Sequence, residues 1–181
     1  MKYLSLGYII TLISCTAPSV EKASLGYFDT DSLFTSVIGG MSGDYDFKKT
    51  VTLEGQEEEK NLSMSVEQLQ KELGLLSKIN PNKPVYKNVW DIEKDGNTVV
   101  YTSKQPDKTE LKSLQITFAG KRITQLNALV GDENSVFTTN RMFTIQFDQL
   151  GFRSYKIEGE ETKHVLSENS NFQAELLRVS D

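Results

Sequence analysis

The chain has 181 residues, with 20 Lys and Arg against 25 Asp and Glu, one His, one Cys and a formal net charge of −5. That is the size of one ordinary domain, able to bury about two-thirds of the surface its unfolded chain exposes. Its basic residues are dispersed, Lys121-Arg122 being the nearest thing to a patch, which argues against a nucleic-acid partner, because such binding needs clustered Lys and Arg to displace counterions.

The first element is an apolar leader, MKYLSLGYIITLISC, in which Lys2 is followed by an uncharged run from Leu4 to Ser14. A short basic start and an apolar run are the marks of a secretory signal peptide. As a helix the run reaches roughly 16 Å, whereas a bilayer core needs about 30 Å, so it is too short to stay as a membrane span. Its end, Leu12-Ile13-Ser14-Cys15, resembles the bacterial lipobox: an apolar residue, a tolerant position, a small residue and a cysteine. That resemblance implies that residues 1–14 are removed, that the Cys15 thiol receives a diacylglyceryl group, and that the new amino group is acylated. The competing reading is a plain signal peptide with a chance cysteine near its end. Against it, a lone unpaired thiol in an oxidising envelope is a liability, and lipidation removes the liability. Two or more acyl chains give stable anchoring, at about 0.8 kcal/mol per buried CH₂.

Residues 15–27 read as the lipidated cysteine and a flexible tether, since Thr16–Ser24 is small, polar and proline-containing without apolar periodicity. Some bacterial groups use an acidic run after the cysteine to direct a lipoprotein outward. Here Glu21 alone interrupts a neutral stretch, and the expected location is the outer membrane, facing the periplasm.

Residues 28–181 are expected to form a single α+β domain. From Asp29 the spacing of Leu33, Phe34, Val37, Ile38 and Met41 predicts a helix, with Asp29 or Asp31 as its cap and Gly39-Gly40 near its stop. In DFKKTVTLEGQEEEKNLSM, Val51 and Leu53 alternate with threonines and Glu54-Gly55 makes a turn, which predicts a hairpin with an acidic return strand before Leu62. Ser65-Val66-Glu67-Gln68 fits a capping box, and Val66, Leu69, Leu73, Leu76 and Ile79 continue it as one core-facing helical stripe, ended by Asn80-Pro81.

After Pro84 the period becomes two. Strands are expected around Trp90 and Ile92, over TVVYTSK, over Leu114, Ile116 and Phe118, and through Ile123, with turns at Lys94–Asn97 and Ala119–Lys121. Gly131-Asp132-Glu133-Asn134 separates these from VFTTNRMFTIQF, where Phe137, Thr139, Arg141, Phe143, Ile145 and Phe147 share one face; FRSYKIEG and FQAELLRV complete the run. Seven or so strands with short polar turns and no helix between them predict a curved antiparallel meander, its concave face covered by the two helices.

INPNKPVYKNVWDI, TVVYTSK and LKSLQITFAGKRI, together with the lipobox and the TVTLEG strand, resemble a family of small, functionally uncharacterised bacterial lipoproteins with a β-rich domain after an early helix. The resemblance covers most of the chain after Cys15. It implies the lipid anchor and the α+β fold and carries over no catalytic residue.

Candidate chemistry is sparse. His164 lies in GEETKHVLSE beside Glu160, Glu161 and Glu168, without the further ligands a metal needs or a nucleophile in a recognisable turn, and reads as a solvated loop residue. Asp29 and Asp31 flank Thr30, and Asp44 and Asp46 flank Tyr45. Neighbours in sequence do not guarantee the roughly 5 to 9.5 Å cleft of a glycosidase pair, DTDSLF stops short of a calcium loop, and both pairs read as caps and turns. The expectation is therefore no catalytic residue, metal or cofactor, and a non-enzymatic envelope lipoprotein that binds a protein partner. The alternative is a carrier or sensor of a lipophilic ligand, held among the aromatics between sheet and helices. A carboxylate hydrolase is a third, weaker reading.

Overall fold

The computed structural model describes residues 25–164 and 168–179, and over them the period of two becomes one long antiparallel ladder. Helix α1, Thr30–Gly39, begins where expected: the Asp29 carboxylate accepts the backbone N–H of Asp31 at 3.1 Å and of Ser32 at 3.4 Å, satisfying donors that a first helical turn leaves open. Helix α2, Val66–Leu73, carries the predicted capping box, in which Gln68 N–H reaches Ser65 Oγ at 3.4 Å and Ser65 N–H reaches Gln68 Oε1 at 2.9 Å.

The stripe beyond Leu73 departs from a single helix. Gly74–Ile79 winds on as a 3₁₀ helix. Glycine weakens the α-helix at that point, and residues three apart eclipse one another in the tighter winding, so Leu73, Leu76 and Ile79 all turn inward and the last two are fully buried. Asn80 then leaves the helical region ahead of Pro81.

The described residues form nine strands, each antiparallel to its neighbours in the sheet: β1 Tyr45–Leu53, β2 Gln56–Met64, β3 Trp90–Asp95, β4 Thr98–Ser103, β5 Leu111–Ala119, β6 Arg122–Glu133, β7 Phe137–Asp148, β8 Gly151–Lys163 and β9 Glu168–Arg178. Their spatial order is β2-β1-β9-β8-β7-β6-β5-β4-β3. Strands β3 to β9 are a meander in chain order. The β1–β2 hairpin, turned by Glu54 and Gly55 at φ of 50° and 80°, is joined to the far side of β9 through β1. The sheet is open, with β2 and β3 as its edges.

Two segments are more regular than their composition suggests. Gly131, Asp132 and Glu133, expected as a separator, end β6 opposite Asn140, Thr139 and Thr138. The polar run Glu160–Lys163 continues β8 against the first half of β9. In each case the residues alternate between the two faces of the sheet, and pairing with a neighbouring strand satisfies the backbone whatever the side chain.

Register assigns the faces. Leu176, Tyr155, Ile145, Leu126 and Ile116 are successive partners from β9 to β5, as are Ala174, Ile157, Phe143, Ala128 and Leu114 one step along; most are buried and form the apolar face. Phe147 on this face meets Phe34 of α1 at 6.2 Å between ring centroids. Tyr155 and Lys49 meet Glu72 of α2. Trp90 packs edge-on against Tyr86 and Tyr101, at 5.2 and 6.1 Å, with its indole N–H donated to Pro81 O at 3.0 Å.

Candidate functional site: a groove across the polar face

Leu12, Ile13, Ser14 and Cys15 lie outside the described residues. His164 ends β8 in an exposed turn, where its backbone N–H donates to Val136 O at 2.8 Å and its Nε2 stands 3.0 Å from Thr138 Oγ1. Asp29 and Asp31 do meet a common partner: Asn80 Nδ2 donates to Asp29 Oδ1 at 2.9 Å and to Asp31 Oδ2 at 2.8 Å. Burial pushes the Asp29 carboxyl up, but the bonds from Ser32, Asn80 and Asp31 outweigh it and hold the acid below its ordinary range. The pair thereby ties the start of α1 to the end of the 3₁₀ helix. Asp44 is exposed ahead of β1, and the backbone carbonyl of Asp46 accepts Val179 N–H at 2.9 Å. Among the described residues no group of three or more His, Cys, Asp or Glu is placed to hold a metal ion, and no helix is long and apolar enough to cross a membrane.

Two polar clusters on the apolar face escaped sequence reasoning. Glu72 Oε1 accepts Tyr155 Oη at 2.5 Å and Lys49 Nζ at 2.7 Å. Burial, reinforced by the bond to the carboxylate, raises the Tyr155 hydroxyl well above the ordinary tyrosine value. Burial likewise pushes the Glu72 acid up, yet those two donors overcome it and the acid ends lower. The second cluster is Arg178, whose guanidinium donates to Asp148 Oδ2 at 2.5 Å and to Phe152 O at 2.7 Å while its side chain is only 1% exposed. Both are cross-links between elements; in the second, the two terminal guanidinium nitrogens of Arg178 meet protein acceptors while its buried Nε meets none.

The other face presents a groove, built by register alone. Thr52, Gln173, Glu158, Met142 and Leu129 are successive Cα partners across β1, β9, β8, β7 and β6, so their side chains stand in one row. Asn171, Glu160 and Asn140 form the next row on the same face. With Gly55 in the β1–β2 turn, and Arg141, Gly159 and Phe172 of the intervening row, they line a shallow depression of about 480 Å³ that runs across the strands.

The row between them, Phe172, Gly159 and Arg141, points the opposite way. A Cβ on Gly159 would stand 2.4 Å from Phe172 Cζ, so the ring fills the space over the glycine, and Arg141 Cζ sits 5.8 Å from the centre of that ring. At Gly159 the floor of the groove is therefore backbone, and the Arg141 cation serves the apolar face. On the groove side Lys156 Nζ lies 2.7 Å from Glu158 Oε1, and Asn140 Nδ2 donates to Glu160 Oε1 at 3.5 Å. Lys112 reaches over Gly131 with its methylenes, but its ammonium donates to the carbonyls of Pro106 and Thr109. Met142, 44% exposed, is the apolar centre.

No family model matches the chain, and neither a curated protein nor a solved structure does. The groove rests on its own geometry. The one signal that could have found it is the alternation TTNRMF, YKIEGEE and NSNFQAE, whose polar positions share a face once the register is known.

Proposed function

We propose that the chain is a lipoprotein of the bacterial cell envelope, anchored through Cys15, most simply in the outer membrane facing the periplasm, and that it works as a non-enzymatic binding module. The observation that carries this reading is the groove, in which side chains from five strands converge on one strip of surface. Helices α1 and α2, packed over the apolar face of a curved sheet, leave the polar face to a partner. The leader with Leu12-Ile13-Ser14 before Cys15, and the resemblance to small bacterial lipoproteins, support the anchor. A lipophilic ligand held between sheet and helices has less in its favour, because the aromatics such a carrier needs around a void pack on one another: Tyr27 on Tyr101 at 6.4 Å, Phe47 on Phe152 at 6.2 Å and Phe152 on Tyr155 at 6.5 Å.

Two measurements test the reading separately. Cys15→Ala should abolish acyl labelling and leave an uncleaved or soluble product; a variant that stays membrane-anchored overturns the lipid attachment. A photo-crosslinking residue at Met142 should form an adduct in the cell envelope, while the same residue at Thr102, on the polar face of β4 outside the groove, should not. Equal labelling at both positions, or none, overturns the groove as the binding surface.

A further inference from the structure

We infer that the occupant of the groove is an uncharged oligosaccharide lying across the strands, an inference that rests on the polar face being the binding surface. The lining chemistry selects the class. Asn171 and Gln173 each offer two N–H donors and a carbonyl acceptor, Asn140 its carbonyl and the N–H not given to Glu160, and Thr52 a hydroxyl of both kinds. A sugar hydroxyl also donates and accepts at once, so amides meet it in either sense. Met142 and Leu129 supply the apolar floor on which the C–H face of a pyranose ring can rest.

The competing classes fit less well. An anionic chain meets the Glu158 and Glu160 carboxylates, with the Arg141 cation turned to the other face and the Lys112 ammonium committed to backbone carbonyls. A cationic chain finds Glu158 already paired with Lys156 and Glu160 already accepting from Asn140. An extended peptide gains most from adding to an unpaired edge, and the groove crosses five paired strands instead. Geometry agrees with a polymer of rings: strands lie about 4.8 Å apart, so side chains along a row recur at close to the length of one pyranose unit.

The test uses the full lipoprotein in a zwitterionic, sugar-free detergent, titrated calorimetrically with cellohexaose, chitohexaose and isomaltohexaose. Binding of at least one is expected, about tenfold weaker in the Asn140→Ala/Gln173→Ala double variant and abolished in Met142→Lys, with melting temperatures unchanged because these side chains sit at the surface. Heat from none of the hexamers, or binding indifferent to both variants, overturns the saccharide. Hexalysine that binds in their place and is lost in Glu158→Gln/Glu160→Gln also overturns it, while leaving the groove as the binding surface. Silence from saccharides and hexalysine together with no crosslink at Met142 withdraws both inferences.

Discussion

Glu72 is a half-buried carboxylate held between a tyrosine and a lysine, and its stability contribution has a definite sign. Its acid is depressed from an ordinary value of 4.5, so the contribution is fully present above about pH 4.5 and is lost as pH falls through the lower folded value. Thermal melting followed from pH 7 down to 3 should show this loss, and Glu72→Gln should flatten that part of the profile; identical profiles would show that Glu72 adds nothing. Tyr155→Phe removes one of the two donors and should cost about 1 kcal/mol. Asn80 makes a comparable knot at α1. Asn80→Ala leaves two carboxylates and the Asn82 N–H without their amide partner, and should cost about 1 to 3 kcal/mol by chemical denaturation. At this scale the sequence offers Asp29 or Asp31 as a cap, because an Asp ahead of an apolar stripe is a local signal, and the structure takes Asp29. The sequence does not show Asn80, whose partner lies 51 residues away.

Elements are held in register by shape as much as by hydrogen bonds. Gly159→Ala drives a methyl into the Phe172 ring and should cost about 1 to 3 kcal/mol. Phe172→Leu should recover much of that loss in the double variant, since a smaller side chain vacates the overlap; additive losses would mean the ring and the glycine are not coupled. Arg178 fastens β9 to the turn between β7 and β8, and Arg178→Met, which leaves the partly exposed Asp148 with Arg153 and the Leu150 N–H and frees the Phe152 carbonyl, should cost about 1 to 3 kcal/mol. Caps and stripes make α1 and α2 legible from sequence. The switch to a 3₁₀ helix after Gly74 is less so, because a run of apolar residues three apart suits either winding. The strand character of Gly131–Glu133 and Glu160–Lys163 is hidden for a different reason: polar residues on the outward face of a paired strand look, in composition, like a loop.

Across the whole molecule, an open sheet of nine strands leaves two edges unpaired, and both carry charge: Glu57, Glu58, Glu59 and Lys60 on β2, and Asp91, Glu93, Lys94 and Asp95 on β3. Charges at an edge discourage strand addition by another molecule. Replacing Glu57, Glu58 and Glu59 with threonine should therefore raise self-association, read by light scattering at unchanged protein concentration, and unaltered scattering would assign the protection elsewhere. The antiparallel character of this sheet follows from the short turns and the period of two. That the first hairpin joins β9 rather than the neighbouring β3 is carried by pairings more than a hundred residues apart in sequence, which no local pattern announces. The groove shares that fate, because its rows exist only once five strands have found their register.

The position of β9 between β1 and β8 has a consequence in time. Every other strand of the described residues precedes it in the chain, so until β9 is in place the ladder can form only as two separate pieces, with the inward edges of β1 and β8 bare. Closing them requires the most distant contacts of the fold, the slow kind, and until then Tyr155, Ile157 and their neighbours are open to the wrong partner. The groove residues Gln173 and Asn171 arrive with that same strand, so the rows of the groove are complete only when that seam is closed.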